Sequence, residues 1–218
     1  MPDINIQSLD GAQFNAYCAM PESGNGSGLI VIHEIKGVTS EMRSICDGYA
    51  ANGYIAVCPN LFWRYPDSEI NENTFDVEEG VRDLLAVLAH TRKIKGCNGK
   101  VGTVGFCLGS RLAFLMATRS DVDVSVCYYA AGIENHLDEI HDIREPLLLH
   151  MASLDEFSSA VTNQRITQVS LRNPAIKTEV YEGAKHAFAS NGHQNYNAAL
   201  ASLANEKTNS FLSLALQN

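Results

Sequence analysis

Cys107 stands in the run Gly105-Phe106-Cys107-Leu108-Gly109, with a glycine two residues to either side, at the end of the β-rich stretch Val101-Gly102-Thr103-Val104. A nucleophile carried on a sharp strand-to-helix turn needs this spacing: glycines there let neighbouring backbone approach where a Cβ would clash, and the reactive side chain is pushed clear of the sheet. The chemistry implied is covalent attack by sulfur on a carbonyl carbon. A free thiol is only a few per cent thiolate at neutral pH, so the anion needs support. A histidine partner and the N-terminus of a helix beginning at Leu108 can supply it. A cysteine taken alone is more often an inert buried residue. Cys18, Cys46, Cys58, Cys97 and Cys127 lack the elbow and are read that way.

Asp155 follows the apolar run that ends near Met151, and His186 follows the run that ends near Tyr181, so both are expected at the same sheet edge as Cys107. His186 would take the thiol proton and later activate water, with Asp155 orienting its ring and stabilising the imidazolium. Glu156 is the rival acid. The chain order of nucleophile, acid and base separates this constellation from other triads. His33-Glu34 closes an earlier apolar run, and the loop beginning there is placed to give one oxyanion amide, so the N–H groups of Ile35 and Leu108 are the candidate oxyanion hole. Glu34 is either a solvated carboxylate at a strand end or a contact of the resting thiol.

These residues need a scaffold that brings strand ends together. Two short alternating strands open the chain, and strands are then expected at Gly28–Ile35, Tyr54–Cys58, Lys100–Phe106, Val122–Tyr128, Pro146–Met151 and Lys177–Tyr181. Helical patterns fall between them at about Glu41–Asn52, Val77–Thr91, Leu108–Thr118 and Ser158–Leu171, and a last helix runs from about Gln194 to Leu216. Apolar strands alternating with helices predict a doubly wound, mainly parallel α/β sheet with helices on both faces, built as a single domain over residues 1–218. Ligands of such sheets gather at the carboxyl ends of the strands. The irregular stretch Asn60–Asn73, with Phe62, Trp63 and Tyr65, is a candidate substrate cover, or else aromatic packing over the sheet edge.

With 218 residues, 45% hydrophobic and 19% charged, the chain can bury a large core. A formal net charge of −9 disfavours nucleic acid and anionic membranes as partners. The first residues lack a secretory pattern and no apolar run reaches membrane-spanning length, so a cytoplasmic monomer or small homo-oligomer acting on a small molecule is expected. His33-Glu34-Ile35-Lys36-Gly37 begins like a zinc-protease helix but has glycine where the second histidine is needed, and Gly96-Cys97-Asn98-Gly99-Lys100 has the wrong glycine spacing for a phosphate loop. Neither a metal nor any other cofactor is expected. His136, His141, His193 and Arg111 stay unassigned.

Three blocks, Val31-Ile32-His33-Glu34-Ile35-Lys36-Gly37, Gly105-Phe106-Cys107-Leu108-Gly109 and Glu182-Gly183-Ala184-Lys185-His186-Ala187-Phe188, together resemble the dienelactone hydrolase family over almost the whole chain. The resemblance implies an α/β-hydrolase fold, a Cys107-Asp155-His186 triad, and a Glu34 that holds the resting thiol and swings when substrate enters. It also implies a carboxymethylenebutenolidase-like reaction that opens a dienelactone to maleylacetate through an acyl-thioester. Where family members place an arginine for the substrate carboxylate, four residues beyond the catalytic histidine, this chain has Ser190. Lys36 and Arg64 are then the candidate cations, with Trp63 and Ser190 as further substrate contacts. A broad thiol esterase or lactonase is the near alternative, and a non-catalytic redox sensor or ligand-binding protein on the same fold is the distant one.

Overall fold

Leu29, Ile30, Val31 and Ile32 have no solvent exposure, as a strand covered on both faces requires. The structure, a computed structural model, describes residues 3–65, 70–71 and 74–217. Among these, one sheet is built from β1 (Asp3–Gln7), β2 (Gln13–Ala19), β3 (Gly26–Ile32), β4 (Ile55–Pro59), β5 (Cys97–Phe106), β6 (Val124–Tyr128), β7 (Leu147–Ala152) and β8 (Ile176–Tyr181). Their spatial order is β1-β2-β4-β3-β5-β6-β7-β8. Strands β3 to β8 are parallel, and the β1–β2 hairpin adds an antiparallel edge to β4.

Successive side chains of each strand point to opposite faces, which gives two core layers. Ile30, Ile32, Ile55, Val57, Leu147 and Leu149 meet one set of helices, α2 (Val77–Thr91), α3 (Leu108–Arg119) and α4 (Ala160–Ser170), together with the 3-10 segment Ile133–Asp142. Leu29, Val31, Ala56, Val104, Val126 and Leu148 meet the other set, α1 (Ser40–Ala51) and α5 (Ala198–Leu216). The expected doubly wound arrangement is therefore present. Among the described residues no helix is long and apolar enough to cross a membrane.

From β3 the chain steps outward to β4, then returns to the opposite side of β3 to lay down β5. Sheets of this kind open a crevice where the order reverses. Here it lies between the ends of β3 and β5, where Glu34 and Cys107 are found.

Two elements differ from expectation. β3 stops at Ile32 because Glu34 C=O accepts from Gly37 N at 3.0 Å, which turns the apolar run out of the sheet. The 3-10 segment Ile133–Asp142 was not expected, although Ile133, Leu137 and Ile140 carry a helical spacing and are all buried. Of the stretch Asn60–Asn73, residues 66–69 and 72–73 lie outside the described residues.

Candidate active site

Cys107 is the hinge between β5 and α3 and has φ 54°, ψ −115°, a left-handed conformation that few non-glycine residues adopt. The two glycines around it explain how it is tolerated. A Cβ on Gly105 would stand 2.0 Å from the Gly109 carbonyl oxygen, so the turn closes only without one. Ser110 ties the turn down by donating its hydroxyl to Gly105 O at 2.9 Å and to Tyr128 O. The amides of Leu108, the first residue of α3, and of Ile35, in the loop after β3, donate to no other group of the described protein.

Backbone bonds from Ser153 N to Tyr181 O (3.1 Å) and from Leu154 N to Ala184 O (2.8 Å) lash the loop after β7 to the loop after β8. Asp155 and His186 thereby meet: Nδ1 of His186 donates to the Asp155 carboxylate, 3.0 and 2.9 Å from its two oxygens. Phe157 and Tyr129 pack edge-on against the ring at 4.6 and 5.1 Å between centroids. The opposite ring nitrogen, Nε2, is buried on the side of the Cys107 sulfur. Burial disfavours the charged ring, but the Asp155 hydrogen bond, the Cys107 hydrogen bond and the two negative charges outweigh it and hold His186 up at about 10. Glu156, the rival acid, meets His186 through its backbone N–H, at 3.4 Å, and not through the ring.

Glu34 is buried at the mouth of this arrangement, with Lys36 Nζ 3.7 Å from its Oε1. Tyr129, which follows β6 with φ 43°, joins this candidate site without any sequence motif to mark it. Its hydroxyl is buried and has no hydrogen-bond partner among the described residues, and burial followed by the charges of Glu34 and Cys107 pushes its pKa far up. Ser190, also buried, donates to Glu41 Oε1 at 3.0 Å.

Trp63 and Arg64, the expected substrate contacts, pack against the β1–β2 hairpin and α2. Trp63 stacks on Phe14 at 5.3 Å and donates its Nε1–H to Asp83 at 2.7 Å. Arg64 pairs with Asp10 at 2.7 Å and Asp83 at 3.1 Å while its guanidinium covers the Trp63 ring. The pair pins the loop after β4 to α2, because a buried Asp83 needs both donors. A cavity of about 590 Å³ opens beside the loop after β3. Its lining takes Ile35, Lys36 and Gly37 from that loop but includes neither Cys107 nor His186.

A mainly parallel sheet with a strained elbow after one strand, and an acid and a histidine after two later ones, defines an α/β-hydrolase. The model of the dienelactone hydrolase family matches residues 14–216, and the chain belongs to that family. It is 38% identical to a carboxymethylenebutenolidase of Pseudomonas putida, over 96% of this chain and 94% of that one. A carboxymethylenebutenolidase of Pseudomonas sp. strain P51 is 31% identical, over 94% of this chain and 92% of its own length. Among solved structures, a dienelactone hydrolase-like promiscuous phosphotriesterase from metagenomic libraries superposes with a TM-score of 0.82 at 16% identity, covering 98% of both chains. An esterase of Thermogutta terrifontis superposes with a TM-score of 0.76 at 16% identity, covering 98% of this chain and 94% of its own. At such identities these two likenesses speak for the fold alone. The chain is a hydrolase of the ester- and lactone-cleaving kind.

Proposed function

We propose that the protein opens a lactone of the dienelactone type, giving maleylacetate, through an acyl-thioester on Cys107. The observation that carries this reading is the placement of His186 between Asp155 and Cys107 at the end of the elbow. With its proton passed to His186, the Cys107 sulfur forms a bond to the carbonyl carbon, and the C=O electron pair moves onto oxygen. The N–H groups of Ile35 and Leu108 receive that oxyanion, with the dipole of α3 behind Leu108.

Collapse breaks the ring C–O bond, and His186 gives its proton to the departing oxygen. The sulfur is now a neutral thioester, so the Cys107 charge and hydrogen bond that held the imidazole's proton are gone, and His186 can accept a proton from water. Water adds to the thioester, the thiolate leaves, and the proton returns to the Cys107–His186 pair. The enol left by ring opening tautomerises to the ketone of maleylacetate. Glu34, buried beside Tyr129, is assigned to the neutral thiol before His186 takes its proton. Lys36 is the cation that remains for a substrate carboxylate, and the Ser190 hydroxyl is already given to Glu41.

Turnover of a dienelactone and of 4-nitrophenyl acetate by the wild type and by Cys107→Ala tests this. A loss of at least about 10³-fold on both substrates, with an acyl adduct on Cys107 seen by mass spectrometry in the wild type, supports the reading. Undiminished turnover by Cys107→Ala ends it. A broad thiol esterase is the result if the aryl ester is turned over as well as the lactone.

A further inference from the structure

His33 has no role in the chemistry above, yet it is almost wholly buried between the loop after β3 and the loop after β4. Its two ring nitrogens are both committed. Nε2 accepts from the Leu61 backbone N–H at 3.1 Å, so it carries no proton, and Nδ1 therefore bears the hydrogen and donates to the Glu34 carbonyl at 2.8 Å. The Phe62 ring closes over the imidazole edge-on at 4.6 Å. Burial holds His33 down at about 4, which keeps the ring in this neutral form.

The Glu34 carbonyl that His33 holds belongs to the same peptide group as the Ile35 N–H. A trans peptide is planar, with C=O and N–H on opposite sides. With its oxygen fixed by His33 at 2.8 Å and by Gly37 N at 3.0 Å, the plane cannot rotate and the Ile35 N–H is aimed the other way. The elbow meets the same segment, since a Cβ on Gly109 would lie 2.2 Å from Ile32 O and 2.8 Å from His33 O. The two candidate oxyanion amides thus sit on backbone that is in contact.

We infer that His33 is a positioning residue which, by clamping the Glu34 carbonyl from a fixed Leu61 anchor, orients the Ile35 N–H toward the developing oxyanion. This rests on the oxyanion reading above. Its consequence is a particular kinetic pattern, because an amide that meets the oxyanion more strongly than the ground-state carbonyl affects kcat and leaves KM.

The test compares His33→Leu, His33→Gln and Cys107→Ala on 4-nitrophenyl acetate, together with the rate at which iodoacetamide alkylates Cys107. His33→Leu is expected to lose roughly 10- to 100-fold in kcat, with KM and alkylation within about threefold of the wild type. His33→Gln, whose carboxamide can both donate and accept, is expected to recover most of kcat. Should His33→Leu not fold, His33→Asn, too short to span both partners, carries the same expectation. Full kcat in His33→Leu overturns the inference. So does a loss in which alkylation falls equally and His33→Gln restores nothing. If Cys107→Ala is as fast as the wild type, the hydrolytic reading itself fails. If Cys107→Ala is inactive while His33→Leu keeps full speed, only the role of His33 is lost.

Discussion

Asp155 holds the His186 ring through both carboxylate oxygens, at 3.0 and 2.9 Å from Nδ1, while also accepting from the Phe157 N–H at 2.9 Å. Glu156, one residue on, touches only the backbone of His186 and the side chain of Asn195, the latter at 3.5 Å. The two neighbouring acids therefore differ in what their loss does. Asp155→Asn keeps the shape but can present its NH2 group to Nδ1, favouring the wrong tautomer, and should lower kcat by roughly 10³-fold or more. Glu156→Gln should remain within about fivefold, because its contacts are long and half in water. Comparable losses in the two variants, measured on one ester, would reassign the acid.

The raised pKa of His186 makes a second prediction, with a definite sign. Its folded-state value of about 10 exceeds the ordinary 6.5, so the protonated ring is what the fold stabilises. That stabilisation is complete below about pH 6.5 and is lost as pH rises through about 10. Removing the sulfur in Cys107→Ala takes away the second hydrogen bond and its charge but not Asp155. The imidazole should then titrate at lower pH than in the wild type, and the alkaline decline in Tm should begin earlier. Histidine-resolved NMR titration of both proteins checks this. An unchanged midpoint in Cys107→Ala would mean that sulfur and ring are not paired.

What is legible in the sequence follows the range of the interactions. The helix Val77–Thr91 is legible because its signal is local: Asp76 caps it by accepting from Glu78 N and Glu79 N, and the apolar spacing follows at once. The elbow was legible for the same reason, its strain being written into two glycines and a cysteine. β5, by contrast, begins at Cys97 and not at Lys100, because Gly26 pairs with Cys97 across a register shift that no local pattern records. The pairing of Arg64 with Asp10 and Asp83 has no local signal, because both partners are remote in sequence and are brought in by the hairpin and α2. Tyr129 carried no signal beyond being an aromatic at a strand end. His33 is visible in the sequence as the end of an apolar run and half of a failed metal motif, with no sign of the two ring contacts it makes.

Arg64 and Lys36 can be separated by the kind of defect each causes. Arg64→Met leaves the buried Asp83 with Trp63 as its remaining donor, and should destabilise the fold by about 2 kcal/mol. Its preference between an anionic lactone and a neutral ester should match the wild type. Lys36 is 61% exposed at its side chain, and its pair with Glu34 is long, so Lys36→Met should cost little stability. Instead it should raise KM for the anionic lactone about two- to fivefold relative to the neutral ester. Equal KM changes on both substrates would remove Lys36 from carboxylate binding.

Gly109 offers the most stringent packing test, because the atoms a side chain would meet there are backbone. A Cβ would fall 2.2 Å from Ile32 O, and no rotamer change can make room for it. Either β3 or the start of α3 has to move, and the two candidate oxyanion amides are carried by those same segments. Gly109→Ala should therefore cost about 2–3 kcal/mol, a fall in Tm of roughly 4–12 °C for a chain of this size. Its kcat should drop further than its rate of Cys107 alkylation. Gly48 is the control: it lies inside α1 with open space around it, so Gly48→Ala should raise stability by about 0.5–1 kcal/mol and leave kcat alone. If Gly109→Ala melts with the wild type and turns over as fast, the elbow does not seat against β3 as closely as these distances require.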